Sequence, residues 1–206
     1  MSTYPKTDVV ILAGGQARRM QGRNKLLQQF DQEIQLIKIY KAFYGQVSQI
    51  WINSHRDLER YQEILPEIRC FSDDQSNFLG PLVGIKSAWS HVKTDYILFI
   101  PCDITFIPED VLSSLHQALL VQEMSQVVYV TINEQNLYPF CLIKRQALET
   151  INKHLEQDQL SLRKCFDELF AQTIHYESHT SFHSINSEQE LKQYHQELQN
   201  SNRSKS

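Results

Sequence analysis

The sequence predicts an α/β fold built on a mostly parallel central sheet, and three observations predict it. Short apolar runs alternate with amphipathic stretches of helical spacing along the chain, the rhythm of strands joined by crossover helices. At 206 residues, 41% hydrophobic and 21% charged, the chain has the length and composition of one globular domain with a single buried core. Polar residues able to do chemistry follow directly on several apolar runs, and sheets of this kind bind ligands at the carboxyl ends of their strands.

Residues 9–12, Val-Val-Ile-Leu, are an unbroken apolar run and predict a strand buried on both faces. Ile34, Ile37, Ile39, Tyr40 and Phe43 recur at mostly helical spacing and predict a helix over 32–44. Residues 47–53 alternate and end on Asn53, as a second strand should; 56–65 carry a helical stripe that Pro66 terminates. A short third strand over 68–71 runs into the turn-rich loop Ser-Asp-Asp-Gln-Ser-Asn. Gly80-Pro81-Leu82-Val83-Gly84 opens a helix reaching about His91, with Pro81 suited to its first turn. Residues 96–100 form another apolar strand and stop at Pro101-Cys102-Asp103. A helix over 108–120 starts on the acids Glu109 and Asp110. Strands over 127–132 and 138–143 flank a polar turn at 133–136, followed by helices over 146–155 and 161–169 and a strand over 173–176. Ser187-Glu188-Gln189-Glu190-Leu191 carries a capping box for a final helix. We expect one domain over 1–198 and a frayed polar tail over 199–206.

Net charge −4 argues against a general nucleic-acid or membrane-surface binder, and no apolar run approaches the ~20 residues of a membrane helix. The N-terminus lacks the apolar centre of a signal peptide, and Cys70, Cys102, Cys141 and Cys165 show no framework spacing. Both observations point to a reducing cytoplasm.

Against this acidic background, residues 9–30 contain no carboxylate, yet Arg18, Arg19, Arg23 and Lys25 fall within eight positions. They follow Leu12, Ala13 and the paired glycines Gly14 and Gly15, where bare backbone amides face outward. Amides, guanidinium forks and a lysine together suit a polyphosphate. The loop lacks the Gly-Lys-Ser/Thr of a P-loop, and its glycines do not fit Gly-x-Gly-x-x-Gly. Asn53, Asp73 with Asp74, and Asp103 also stand just past strand ends and should meet the loop at one rim. Asp103 by itself suits a turn cap as well as a metal; beside a cationic phosphate loop, Mg²⁺ is favoured, since it takes one or two carboxylates and completes its shell with phosphate oxygens and water. His175, His179 and His183 are spaced by four, but their segment is poor in helix formers, which favours strand and loop over a zinc site. Cys102 reads as a buried thiol.

These residues carry a resemblance. Leu12-Ala-Gly-Gly-x-x-x-Arg-Met-x-Gly-x-x-Lys25, Asn53, Asp73, Gly80-Pro81-Leu82-x-Gly84, Pro101-Cys102-Asp103 and Asn186-Ser-Glu-Gln-Glu-Leu191 together resemble the molybdenum cofactor guanylyltransferases, the MobA family, within the nucleotidyltransferase superfamily. The resemblance implies a three-layer, Rossmann-like nucleotidyltransferase fold. It implies nucleotide binding by Leu12, Ala13, Gly14, Gly15, Lys25, Asn53, Asp73, Gly80, Pro81 and Asp103, with Asp103 on Mg²⁺ and Lys25, Arg19 and Asp103 as the catalytic set. Departures from the family pattern are Gln21 for Gly, Asn24 for Asp, Tyr138-Pro139 for His-Pro, and Ser184 for the first Asn of Asn-x-Asn.

The implied reaction is transfer of GMP from GTP to molybdenum-molybdopterin with release of pyrophosphate. GTP, molybdenum-molybdopterin, cofactor-insertion proteins and acceptor molybdoenzymes are the implied partners, with no nucleic acid and no membrane. The alternatives are a molybdopterin cytidylyltransferase, a sugar-phosphate nucleotidyltransferase, or a non-catalytic nucleotide-binding protein of the same fold.

Overall fold

The apolar run of residues 9–12 lies where its composition demands, at the centre of a sheet. The structure, a computed structural model, describes residues 4–14, 23–30, 32–73, 80–178 and 182–203. Strand β1 (Thr7–Leu12) is followed by a 3₁₀ turn at Lys25–Leu27 and a small hairpin, β2 (Gln29–Phe30) and β3 (Glu33–Ile34). Next come α1 (Gln35–Phe43), β4 (Ile50–Asn53), α2 (Leu58–Ile64), β5 (Arg69–Phe71), α3 (Pro81–His91) and β6 (Tyr96–Pro101). The second half holds α4 (Val111–Val121), β7 (Val127–Ile132), β8 (Gln135–Lys144), α5 (Leu148–Glu156), α6 (Leu162–Glu168), β9 (Gln172–Tyr176) and α7 (Glu188–Arg203).

The main sheet has the order β5-β4-β1-β6-β8-β7-β9. β8 runs antiparallel to both its neighbours, and the remaining pairs are parallel, so the sheet is mostly parallel. Helices cover both faces. Val9 and Ile11 point into a cluster with Leu36, Ile39 and Phe43 of α1, Tyr61 of α2 and Leu115 of α4. Val10 points the other way, against Leu82 and Ile85 of α3, Ile151 of α5 and Phe166 of α6. The result is the three-layer α/β nucleotidyltransferase fold that the resemblance implies.

Several expectations shift. The first crossover helix begins at Gln35 and not at 32, because residues 29–30 and 33–34 pair as the β2–β3 hairpin, and Gln32 has φ +68. Strands of two residues are too short to show alternation. Phe30 from this hairpin is fully buried with Ile185 and Tyr194, so the hairpin is the seat on which α7 packs. Helix α4 starts at Val111, leaving Glu109 and Asp110 just before it. Helix α7 spans Glu188–Arg203.

Pro139 lies within β8, between two strands, where a missing N–H is normally costly. The register explains it. Tyr129 pairs with Cys141 but Val130 pairs with Leu137, so residues 138–140 bulge out of the ladder. At the other end of the sheet, Thr7 Oγ1 lies 2.8 Å from His116 Nε2, and Tyr4 and Tyr96 flank that imidazole. Burial pushes the imidazole pKa down to about 4.

Candidate active site

Register brings the carboxyl ends of four strands level. Leu12 pairs with Asn53 on one side and Pro101 on the other, and Asn53 pairs with Phe71. The ladder continues past the strands: Ala13 N–H donates to Asn53 O at 2.9 Å, and Cys102 N–H to Leu12 O at 3.2 Å. Leu12, Asn53, Asp73 and Asp103 therefore share one rim. With adjacent strands ~4.8 Å apart, it spans about 14 Å from β5 to β6, a span that an extended nucleoside triphosphate can bridge.

At one end of the rim Asn53 Nδ2 donates to Asp73 Oδ1 at 2.7 Å, and His55 Nε2 lies 3.0 Å from Asp73 Oδ2. Gly14 lies against this group: a methyl there would contact Asn53 Oδ1, Asp73 Oδ2 and His55 at ordinary van der Waals distances. Gly84 is under a tighter constraint. A Cβ on it would lie 2.7 Å from Asn53 Oδ1 and 3.2 Å from Leu12 Cδ2. Helix α3 thus crosses so close to Asn53 that a side chain at position 84 would have to displace the Asn53 amide. Gly80 has a different reason: as the residue before α3 it has φ +92 and ψ −177, a conformation open essentially to glycine alone. Gly80 and Pro81 open α3, while Gly84, one turn further on, meets Asn53 and Leu12.

At the other end Lys25 Nζ donates to Asp103 Oδ2 at 2.8 Å and to Asn186 Oδ1 at 2.9 Å. Leu26, fully buried, pins the turn that carries the lysine. Asp103 is held from the far end of the chain. Ile185 N–H donates to Asp103 O at 3.0 Å, Thr105 N–H donates to His183 O at 3.1 Å, and Ile104 bridges Ser184 antiparallel. Asn186 is fixed by the predicted capping box: Glu190 Oε2 accepts its N–H at 2.6 Å, and Glu190 N–H donates to Ser187 Oγ at 3.2 Å. Asn186 Nδ2 donates to Ser184 Oγ at 3.2 Å, so the serine standing in for a family asparagine still holds its neighbour.

The chemistry of this corner suits a hard cation. Two oxygen donors, a carboxylate and an amide carbonyl, already converge on one ammonium, and both are ligands that Mg²⁺ prefers. Among the described residues, no group of three or more His, Cys, Asp and Glu side chains is placed to hold a metal ion, so a metal here would rest on few protein ligands and on its substrate.

Burial and the adjacent Asp103 push the Cys102 thiol up to about 12, which disfavours the thiolate. Arg23 pairs with Glu188 of α7 at 3.3 Å. Gly15, Arg18, Arg19, Gln21, Asp74 and His179 lie outside the described residues. His175 sits on β9 bonded to Thr131, and His183 is buried beside Thr105, so this pair does not lie along one helix. Sequence reading assigned no role to His55 or Gly84 and left Asn186 inside a motif without a partner. Only its neighbouring capping box signalled that Asn186 would be held rigidly.

A level rim with an amide–carboxylate pair at one end and a lysine–carboxylate junction at the other suits a nucleotide and its phosphates. The profile of the MobA-like NTP transferase domain matches residues 9–173. The chain is 58% identical over 194 residues, 94% of its length and 93% of the relative's, to the molybdenum cofactor guanylyltransferase of Acinetobacter baumannii. It is 38% identical to the molybdenum cofactor guanylyltransferase of Pasteurella multocida, over 71% of this chain and 76% of the other. The chain belongs to the molybdenum cofactor guanylyltransferase family. Its fold is similar to molybdopterin-guanine dinucleotide biosynthesis protein A of Archaeoglobus fulgidus, with TM-score 0.67, 16% identity and coverage of 94% and 99%. It is also similar to CMP:2-keto-3-deoxy-manno-octonic acid synthetase complexed with CTP, with TM-score 0.69, 14% identity and coverage of 95% and 99%.

Proposed function

We propose that this chain transfers GMP from GTP to the terminal phosphate of molybdenum-molybdopterin, releasing pyrophosphate. The observation that carries the reading is the Lys25–Asp103–Asn186 junction, on the same rim as Asn53 and Asp73. An oxygen of the acceptor phosphate forms the new bond to the α-phosphorus of GTP, and the α–β anhydride bond breaks. The nucleophile is already anionic and needs no general base. The barrier is therefore repulsion between anions and misalignment, which positioning and charge neutralisation lower. Leu12 to Gly15, with Asn53, Asp73, Gly80 and Pro81, bind the nucleotide. Lys25, aimed by its two oxygen partners, and Arg19 offset the charge of the phosphates. Mg²⁺ held by Asp103 would supply further neutralisation of the α-phosphate and the leaving pyrophosphate.

All four cysteines are free thiols, and no helix among the described residues is long and apolar enough to cross a membrane. We place the reaction in the cytoplasm, where thiols stay reduced. Cofactor-insertion proteins and acceptor molybdoenzymes would receive the product.

The test is pyrophosphate release with purified molybdenum cofactor and Mg²⁺, run with GTP and CTP in parallel. Release with GTP and little with CTP is expected; CTP preference overturns the guanylyl assignment, and release with neither overturns catalysis.

The close approach at Gly84 supplies a second check. Gly84→Ala should push the Asn53 amide off Asp73 and weaken GTP binding about tenfold, the scale of losing one hydrogen bond to a charged group. Calorimetric titration with GTP reads this directly, and unchanged affinity would remove Asn53 from the nucleotide site.

A further inference from the structure

Asp57 is in an unusual position for its residue type. It occupies the N-cap of α2, where an aspartate normally accepts a helix N–H, yet its side chain makes no capping bond. Its backbone is left-handed, at φ 59 and ψ 22, which costs a non-glycine residue energy. The carboxylate is instead turned across the molecule to Asn24, whose Nδ2 donates to Asp57 Oδ2 at 2.7 Å.

Asn24 is saturated by this arrangement. Its second amide hydrogen goes to the hydroxyl of Tyr61, fully buried in α2, at 2.6 Å. Its Oδ1 accepts Leu26 N–H at 3.1 Å, capping the 3₁₀ turn that carries Lys25. Its backbone carbonyl accepts Leu27 N–H at 3.1 Å. The amide is therefore the bolt between α2 and the lysine's turn. An acid at position 24 would have no N–H to offer and would face Asp57 carboxylate to carboxylate. Arg56 and Arg60, 3.9 and 3.8 Å from Asp57, would soften that repulsion but could not replace the missing donors.

We propose that Asn24 and Asp57 form a donor–acceptor pair that positions Lys25 for nucleotidyl transfer, and that Asp57 is what requires an amide at position 24. This rests on the reading of Lys25 as a phosphate-facing group.

The pair is reversible in principle, which makes it testable. In the double exchange Asn24→Asp/Asp57→Asn, the amide moves to position 57 and the carboxylate to position 24. The amide then donates to the carboxylate, which also accepts from Leu26 N–H and from the Tyr61 hydroxyl. The contacts of the Asn24 side chain survive, those of the pair and of Tyr61 with their direction exchanged, while Arg56 and Arg60 face a neutral amide in place of a carboxylate. Wild type, Asn24→Asp, Asp57→Asn, the double exchange and Lys25→Ala are compared for pyrophosphate-release kcat and KM, GTP-binding stoichiometry and thermal midpoint. Asn24→Asp should lose about tenfold or more in kcat, the scale of a misplaced catalytic group, with GTP stoichiometry unchanged. The double exchange should recover to within about threefold of wild type, as coupled neighbours do. Wild-type kcat in Asn24→Asp, or a double exchange no better than that single variant, overturns the pair. So does a kcat loss matched by an equal fall in GTP stoichiometry, since that marks lost folding and not lost positioning. A Lys25→Ala enzyme with wild-type kcat overturns the role of Lys25 itself, whereas an impaired Lys25→Ala beside an intact Asn24→Asp overturns only the pair.

Discussion

Asp103→Asn lowers turnover by ~10²-fold or more and weakens the dependence on Mg²⁺, with little change in thermal midpoint. The substitution keeps the size of the side chain and the backbone carbonyl that accepts Ile185 N–H, so the clip between residues 103–105 and 183–185 remains. What disappears is one negative charge at the point where a lysine and, on our reading, a divalent cation share a carboxylate. Loss of a single preorganised electrostatic group is worth ~10²–10³-fold, and a factor of 10² is about 2.7 kcal/mol of barrier. Pyrophosphate release measured across a Mg²⁺ titration reads both effects. An Asp103→Asn enzyme with the wild-type rate and the wild-type Mg²⁺ midpoint would end the metal assignment.

Lys25→Ala should impair turnover on a similar scale, ~10²-fold, while leaving the protein folded. Its ammonium has two partners, Asp103 and Asn186, lying 78 and 161 residues away in sequence. Both partners are held without it: Asp103 by the pairing with residues 183–185, Asn186 by Glu190 and Ser184. The turn itself is held by Leu26 and Asn24 and not by the lysine. Removing the ammonium therefore takes away charge at the phosphates without dismantling what surrounds it. Circular dichroism and a thermal scan beside the turnover assay separate the cases; a large fall in midpoint with the remaining activity proportional to folded protein would make Lys25 structural.

Gly80 and Gly84 show how differently two glycines of one motif are used. Both stand in Gly80-Pro81-Leu82-x-Gly84, Gly80 just before the helix that Pro81 opens and Gly84 inside it, but no local signal shows what each is needed for. The structure assigns Gly80 to backbone conformation and Gly84 to the approach of α3 onto Asn53. The hairpin at 29–34 was hidden because two-residue strands carry no period, and its burial depends on α7, more than 150 residues later. Pro139 is an awkward residue for the strand predicted over 138–143, and only the register on both sides shows the bulge that accommodates it.

From its letters alone the chain determined the order and type of its main elements, the buried central strand, and which residues stand at strand ends. These follow from periodicities of two and 3.6 residues and from local turn chemistry, all of which act within a few positions. The tertiary structure decided which of those residues touch. That Lys25 meets Asp103 and Asn186, that Asn24 commits its amide to Asp57 and Tyr61, and that α3 crosses against the Asn53 amide at position 84 depend on the packing of segments far apart in sequence. No local pattern encodes such contacts, because their distances are set by the layers closing on the sheet and not by the residues beside them in the chain.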